Sequence, residues 1–228
     1  GHTLIYDAWN RLIQVKDGST NLETYSYDGT GRQISENNWR ATGLTLNIYY
    51  SSQWQAIEER LGSSDVEIQN VFSIGYVDSP ILRDEDFNND GSFSTSERTY
   101  LTQDANFNVT GMIGYTGSAW AVNEHAVYDA YGTAAFTDGS WTSGTNTNGM
   151  EFLFQGARYD PSTDEYDFKN RQLTATGTWL EADPSGYVDT LNLYSFVMNN
   201  PMLLFDPTGL ASESPCGGDT DAALASVT

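Results

Sequence analysis

Tyr6-Asp7-Ala8-Trp9-Asn10-Arg11-Leu12-Ile13 is followed by a second copy of its own pattern, Tyr27-Asp28-Gly29-Thr30-Gly31-Arg32-Gln33-Ile34. Self-similarity at so short a period decides the fold class. The interval has no room for two helices and a turn, and apolar residues alternate at Leu44, Leu46, Ile48 and Tyr50, as in a strand with one buried face. A looser third copy begins at Tyr50, and Tyr128-Asp129-Ala130-Tyr131-Gly132 repeats the Tyr-Asp-small-x-Gly pattern beyond an interruption. Each unit reads as a β-hairpin.

Between copies lie Lys16-Asp17-Gly18-Ser19, Asp138-Gly139-Ser140 and the stretch from Thr142 to Gly149, all rich in turn-forming residues. An isolated hairpin cannot bury its apolar face. Consecutive hairpins that pair edge to edge solve both the exposed face and the unpaired edges, so the repeats predict one long curved sheet and disfavour a helical bundle. The 14 Tyr, 10 Phe and 6 Trp suit such a surface, where rings cover neighbouring strands and polar tips reach water or backbone.

The formal net charge is -21, from 31 acidic and 10 basic residues, a sign that repels nucleic acid and anionic lipid and favours cations as partners. No run approaches the length of a membrane-spanning helix, and Gly1-His2-Thr3 has neither a basic region nor an apolar signal core, so any export signal is expected upstream. The single cysteine, Cys216, excludes an internal disulfide framework. His2 and His125 are the only imidazoles, which removes most routes to Ser-His-Asp or Cys-His catalysis and to a His-based zinc site. Asn108-Val109-Thr110 has the form of a glycosylation sequon and reads otherwise as a loop-strand junction.

One acidic cluster does more than keep the chain in solution. The stretch from Asp86 to Glu97 fits a twelve-position calcium loop, with Asp86, Asn88 and Asp90 at positions 1, 3 and 5 and Gly91 at the sharp turn. Ser92 supplies a carbonyl, Ser94 acts through water, and Glu97 closes the loop with both oxygens. The competing reading is an Asn-Asp-Gly turn at a hairpin tip that needs no metal. The flanks look extended, so a structural calcium clip is expected rather than a paired-helix sensor.

Asp183-Pro184-Ser185-Gly186 and Asp206-Pro207-Thr208-Gly209-Leu210 each read, taken singly, as tight turns in which proline presets one dihedral and glycine takes the positive one. The Tyr-Asp-x-x-Gly-Arg units resemble the YD repeats of Rhs proteins and of the C subunits of insecticidal Tc toxin complexes. Downstream, the segment from Phe154 to Asp160, Arg171, the segment from Gly177 to Gly186, Asn192-Leu193-Tyr194, Asn199-Asn200-Pro201 and the segment from Asp206 to Leu210 are similar to that family's associated core. The similarity spans about residues 4 to 210.

The resemblance implies a strand spiral forming a hollow shell around a carboxyl-terminal polypeptide, with the core as its plug. It implies that Asp183 and Asp206 act as a single-turnover aspartic autoprotease cutting between Leu210 and Ala211. It also implies an extracellular, secreted or cell-surface setting, with the chain's own carboxyl-terminal polypeptide or upstream repeats as partners. One position departs from the pattern: Thr178 stands where members carry arginine, leaving Arg158 or Arg171 to supply the charge.

The expected architecture is mainly β: YD repeats over 1–77, a calcium-loop hairpin over 78–100, further repeats over 101–150, an associated core over 151–210 and a flexible tail over 211–228. The expected function is encapsulation or presentation of a carboxyl-terminal polypeptide with self-processing. Nucleic-acid binding and membrane insertion are not expected, and assembly into an oligomer is compatible with the reading. A calcium-stabilised surface or filament module without catalysis is the alternative. A sugar-binding module using Trp39, Trp54 or Trp120 as stacking platforms comes third.

Overall fold

The computed structural model describes residues 2–37, 43–62, 65–161, 163–187 and 190–214. Thirteen strands lie in one antiparallel sheet in strict chain order, each paired with the next. They are β1 His2–Tyr6, β2 Leu12–Asp17, β3 Thr20–Tyr27, β4 Gln33–Asn37, β5 Thr45–Tyr50, β6 Ala56–Leu61 and β7 Asp65–Phe72. The series continues with β8 Pro80–Glu85, β9 Arg98–Gln103, β10 Val109–Tyr115, β11 Trp120–Tyr128, β12 Ala134–Asp138 and β13 Ser143–Gly144. The sheet is not closed into a barrel, since β1 and β13 end the order without pairing to each other. A second sheet, β14 Arg158–Asp160, β15 Glu165–Asp167 and β16 Gln172–Thr174, belongs to the carboxyl-terminal core.

The Tyr-Asp signature has a physical origin in one turn used again and again. Asp7 Oδ1 accepts the amides of Trp9 and Arg11, and Asp28 Oδ1 accepts those of Thr30 and Arg32. Asp104, Asp129 and Asp138 do the same for residues two and four further on, and Ser51 does so through its hydroxyl. The third residue after each of these takes a positive φ: Asn10, Gly31, Trp54, Phe107, Gly132 and Trp141. Glycine and asparagine adopt that conformation readily, whereas a bulky residue costs about 1–2 kcal/mol there. Phe107 offsets the cost by stacking on Tyr76, with ring centroids 3.8 Å apart.

The tyrosine and arginine of the pattern join one repeat to the next. Tyr27 donates its hydroxyl to the Leu12 carbonyl at 2.7 Å, Tyr50 to the Gln33 carbonyl at 2.7 Å, and Tyr128 to the Val109 carbonyl at 2.6 Å. Each accepting carbonyl lies just past the preceding turn. Arg11 and Arg32 close the Asp7 and Asp28 turns through their guanidinium groups and lie over the rings of Tyr27 and Tyr50. Burial pushes the Asp28 carboxyl up, but hydrogen bonds from Thr30 and Arg32 outweigh it and hold the group below its ordinary range.

One face of the sheet carries the core. Leu12, Val15 and Tyr25 form one apolar cluster, and Leu46, Ile48, Ala56, Ile68, Val109 and Phe152 a second. The largest joins Met112 and Ala126 of the sheet to Phe154, Tyr166, Phe168, Leu173, Trp179 and Phe196 of the carboxyl-terminal core. Residues after Leu210 are in part ordered: Glu213 exchanges two backbone hydrogen bonds with Phe205. The tail expected over 211–228 therefore begins paired, and Cys216 lies outside the described residues.

Replacing Asp28 by alanine removes the acceptor of two amides and one guanidinium at once. The expected loss is about 2 kcal/mol, read as a lower urea midpoint at unchanged slope. Asp28→Asn keeps the amide acceptor and is expected to lose less. Because the carboxyl is held low, its contribution is present above the ordinary aspartate value of 3.8 and disappears as the pH falls through the folded value. An alanine variant as stable as the parent would sink this account.

Candidate functional site

The core wraps around Arg171. Its position is set by Phe168 and Leu173, both fully buried on either side, and by the Trp179 ring, over which the guanidinium carbon lies at 4.2 Å. At 4% exposure the charge needs partners. Nη2 is 3.0 Å from Asp183 Oδ2 and 3.4 Å from Asp206 Oδ2, so one nitrogen bridges both aspartates. Nε donates to the Gly209 carbonyl at 2.5 Å, and Nη1 to that of Leu193 at 3.4 Å.

The two Asp-Pro turns thus meet on a single cation. Asp183 caps its own turn by accepting the Ser185 amide at 2.8 Å. Asp206, 2% exposed, accepts the amides of Thr208, Leu210 and Ala211 through Oδ1 at 3.3, 3.1 and 3.3 Å. Its own amide is held by Gln155 Oε1 at 3.2 Å. Burial pushes the Asp206 carboxyl up to about 6, against the opposing effects of Arg171 and the three amides. Gly209 has a φ of +70°, and a Cβ there would meet the Phe168 carbonyl oxygen at 2.8 Å. Glycine is what lets the Leu210–Ala211 peptide turn back onto Asp206.

Between the aspartates, Ser195, Ser212 and Arg171 lies a cavity of about 10 Å³, close to the least that holds one water. The buried Ser195 Oγ on its wall has no hydrogen-bond partner. Thr178 is exposed, its amide on Thr174 Oγ1 and its backbone bridged to Ser195. Of the two arginines considered as substitutes for the missing one, Arg171 sits at the pair. Arg158 lies elsewhere, among Glu36, Glu59 and Glu151.

The Asp86–Glu97 loop joins β8 to β9. Asp86 accepts the amides of Asp90 and Gly91, Asn88 that of Asp90, and Asp90 the amide and hydroxyl of Ser92. Those Ser92 bonds hold the Asp90 carboxyl below its ordinary range. Gly91 takes a φ of +77°. Glu97 ends a short 3-10 turn, Thr95–Glu97, where Oε2 accepts the Ser94 amide and hydroxyl at 2.9 and 2.6 Å. Its Oε1 is buried and without a hydrogen bond, an uncommon state for a carboxylate oxygen. Among the described residues, no three acidic, histidine or cysteine side chains converge in a metal-holding group.

Other sequence candidates lead to packing. Trp39 lies outside the described residues. Trp54 has Arg32 over its ring, and Trp120 meets Tyr100 and Tyr115 at 63° and 60°, which is no coplanar platform. His125 stacks on Trp141 in β11, and Asn108 is buried against Asp104 and Gln155. Among the described residues, no helix is long and apolar enough to cross a membrane.

Residues 6–42 match the RHS Repeat family. The chain is 27% identical to the toxin subunits YenC2 and YenC1 of Yersinia entomophaga, over 92% of its own length and 22% of theirs. Its fold is similar to part of the TcdB2-TccC3 crystal structure, with a TM-score of 0.67, 22% identity, and coverage of 92% of this chain and 10% of that one. The Photorhabdus luminescens Tc holotoxin pore gives a TM-score of 0.67 at 20% identity, over 98% of this chain and 10% of that one. The chain spans 22% of the length of these curated relatives.

Removing the Arg171 charge strands two carboxylates. Arg171→Met is expected to cost about 3–5 kcal/mol, measured by urea unfolding at pH 7. A loss under about 1 kcal/mol, as at exposed ion pairs, would show that the bridge is not what holds the two turns together.

Proposed function

We propose that this chain is the carboxyl-terminal part of a Tc-type C subunit, a wall-and-plug segment that encloses or presents its own carboxyl-terminal polypeptide outside the cell and cuts itself after Leu210. The observation that carries the reading is the grip of Asp206 on the Ala211 amide, 3.3 Å away, with Asp183 held beside it through Arg171. Extracellular placement and association with upstream repeats follow from the same reading. The expectation of no nucleic-acid partner continues to rest on the charge of -21.

The proposed reaction is a hydrolysis within the chain. Asp183, ion-paired with Arg171, takes a proton from a water in the small cavity, and the water oxygen bonds to the Leu210 carbonyl carbon. Asp206, raised toward neutrality by burial, delivers its proton to the Ala211 nitrogen as the Leu210–Ala211 bond breaks. Tethering places the reacting groups at high effective concentration, so one slow turnover is enough.

We further propose that the Asp86–Glu97 loop takes calcium, with Asp86, Asn88, Asp90, the Ser92 carbonyl and Glu97 as ligands and Ser94 acting through water. The buried, unbonded Glu97 Oε1 supports this reading. The ion would supply positive charge to the Asp86, Asp90 and Glu97 carboxylates.

Fusing a folded reporter after Thr228 tests the cleavage. Intact mass is expected to show release of a fragment beginning at Ala211 in the parent and none in Asp183→Asn or Asp206→Asn. Because Asp206 must be protonated, the rate is expected to fall as the pH rises above about 6. An uncut parent fusion would leave the two motifs as structural turns.

Calcium is tested separately by calorimetry and thermal unfolding. Binding is expected with a chelator-sensitive rise in Tm, both lost in Glu97→Gln. No heat of binding together with an unchanged Tm would remove the metal from the account.

A further inference from the structure

Arg158 crosses from β14 to the sheet. Its Nε donates to Glu151 Oε1 at 2.6 Å, Nη2 reaches Glu59 Oε2 on β6 at 3.4 Å, and Nη1 lies 3.5 Å from Glu36 Oε2 on β4. Next to it, Arg83 on β8 pairs with Glu85 at 2.8 Å and Glu151 at 3.3 Å. Two guanidinium groups therefore face four carboxyls, and none of these six side chains is more than 12% exposed. If every carboxyl were ionised, these six side chains would bury four negative charges against two positive ones. Interiors do not tolerate that, and the cheap remedy is to keep two protons.

Glu36 and Glu59 are the groups placed to keep them. Burial raises Glu36 to about 8, with Asp160, Glu23 and Glu151 adding to the shift and Arg158 opposing it. Burial raises Glu59 to about 7, with Glu151 adding and Arg158, Arg83 and the Asn70 side chain opposing. The facing groups are otherwise fixed. The Tyr25 hydroxyl spans Glu23 and Asp160, the Tyr50 hydroxyl is spent on the Gln33 carbonyl, and Asp167 approaches Arg158 from β15. Glu85 enters as a partner of Arg83. A cavity of about 780 Å³ bordered by Glu23, Glu36, Glu151, Arg158 and Asp160 gives protons a path to the cluster.

We propose that this cluster is a proton-held joint between sheet and core, closed in acidic solution and loosened as the solution turns alkaline. The sign follows from linkage. Carboxyls whose folded values are raised contribute stability that is full below their unfolded value of 4.5 and is lost as the pH rises through 7 to 8. The joint differs from a simple ion pair in that raising the pH adds charge to an already saturated pair of cations. That alkaline loosening frees an enclosed polypeptide rests on the encapsulating reading; the loosening itself does not.

Hydrogen exchange of the full chain at pH 6 and pH 9, corrected for intrinsic rates, tests the joint. Amides of β14 to β16 are expected to lose protection by at least about tenfold at pH 9, while β9 to β11 hold theirs. The Glu36→Gln/Glu59→Gln double variant is expected to show no such difference. Equal core protection in the parent at both pH values overturns the proposal, whatever the variants do. A folded double variant that keeps the parent's pH response overturns the assignment to these two glutamates. Should the double variant fail to fold, Glu36→Gln at the cavity wall decides, with the fall in stability per pH unit between about pH 5 and pH 7 expected to halve and an unchanged slope counting against the proposal. Reporter cleavage by mass reads the encapsulating function independently.

Discussion

Everything in this fold leans on a turn whose amides are gathered by one aspartate and whose neighbour is fastened by one tyrosine. A hairpin in water is marginal because its backbone donors can bond solvent equally well and its apolar face stays wet. Asp28 changes that locally by accepting two amides and the Arg32 guanidinium, which fixes the turn through contacts within its own five residues. Tyr50 then reaches back to the Gln33 carbonyl, and Arg32 lies over the Tyr50 ring. Each repeat therefore supplies a cap for itself and a clasp for its predecessor, the nearest-neighbour coupling on which repeat proteins depend.

That economy has a consequence for the core. A sheet assembled from neighbours alone presents one long face with carboxylates among its apolar residues, and something must cover it. The carboxyl-terminal core does so with two kinds of contact. Phe154, Phe168, Trp179 and Phe196 make a dense aromatic cluster against Met112 and Ala126, which supplies the non-directional part. Arg158 reaching Glu36 and Glu59 supplies the directional part. Apolar packing would tolerate a shift in register, whereas an arginine fork among three carboxylates does not.

The mainly β class and its edge-to-edge hairpins were legible because period and turn chemistry are local properties. The turn at Asp104 was not, and the one at Asp138 was legible as a turn but not as a copy of the repeat, since both lack the preceding tyrosine; the shared signal is an acceptor followed three residues later by a positive-φ residue, which Phe107 and Trp141 disguise. The Asp183 and Asp206 motifs were readable from their resemblance, yet the choice of Arg171 over Arg158 as their cation depends on which side of the core each strand faces. Sequence spacing says nothing about that. The Glu36, Glu59 and Arg158 cluster was equally hidden, because its members are far apart in the chain and, in an acidic sequence, a buried glutamate looks like any surface one.

Geometry at the chain's end also separates cutting from release. Under the proposed hydrolysis, breaking the Leu210–Ala211 bond removes a covalent link but leaves Glu213 paired with Phe205 through two backbone hydrogen bonds. Phe205 is buried and packed edge-on against Tyr76 and Phe107, at the foot of the sheet's own turns. The new terminus thus stays seated on the aromatic group of Tyr76, Phe107 and Phe205, and departure requires that group to yield. On the proposed reading, chemistry at Asp206 and mechanics at the sheet–core contact act as two successive controls. The first is irreversible and depends on a single water, and the second is reversible and depends on packing and charge.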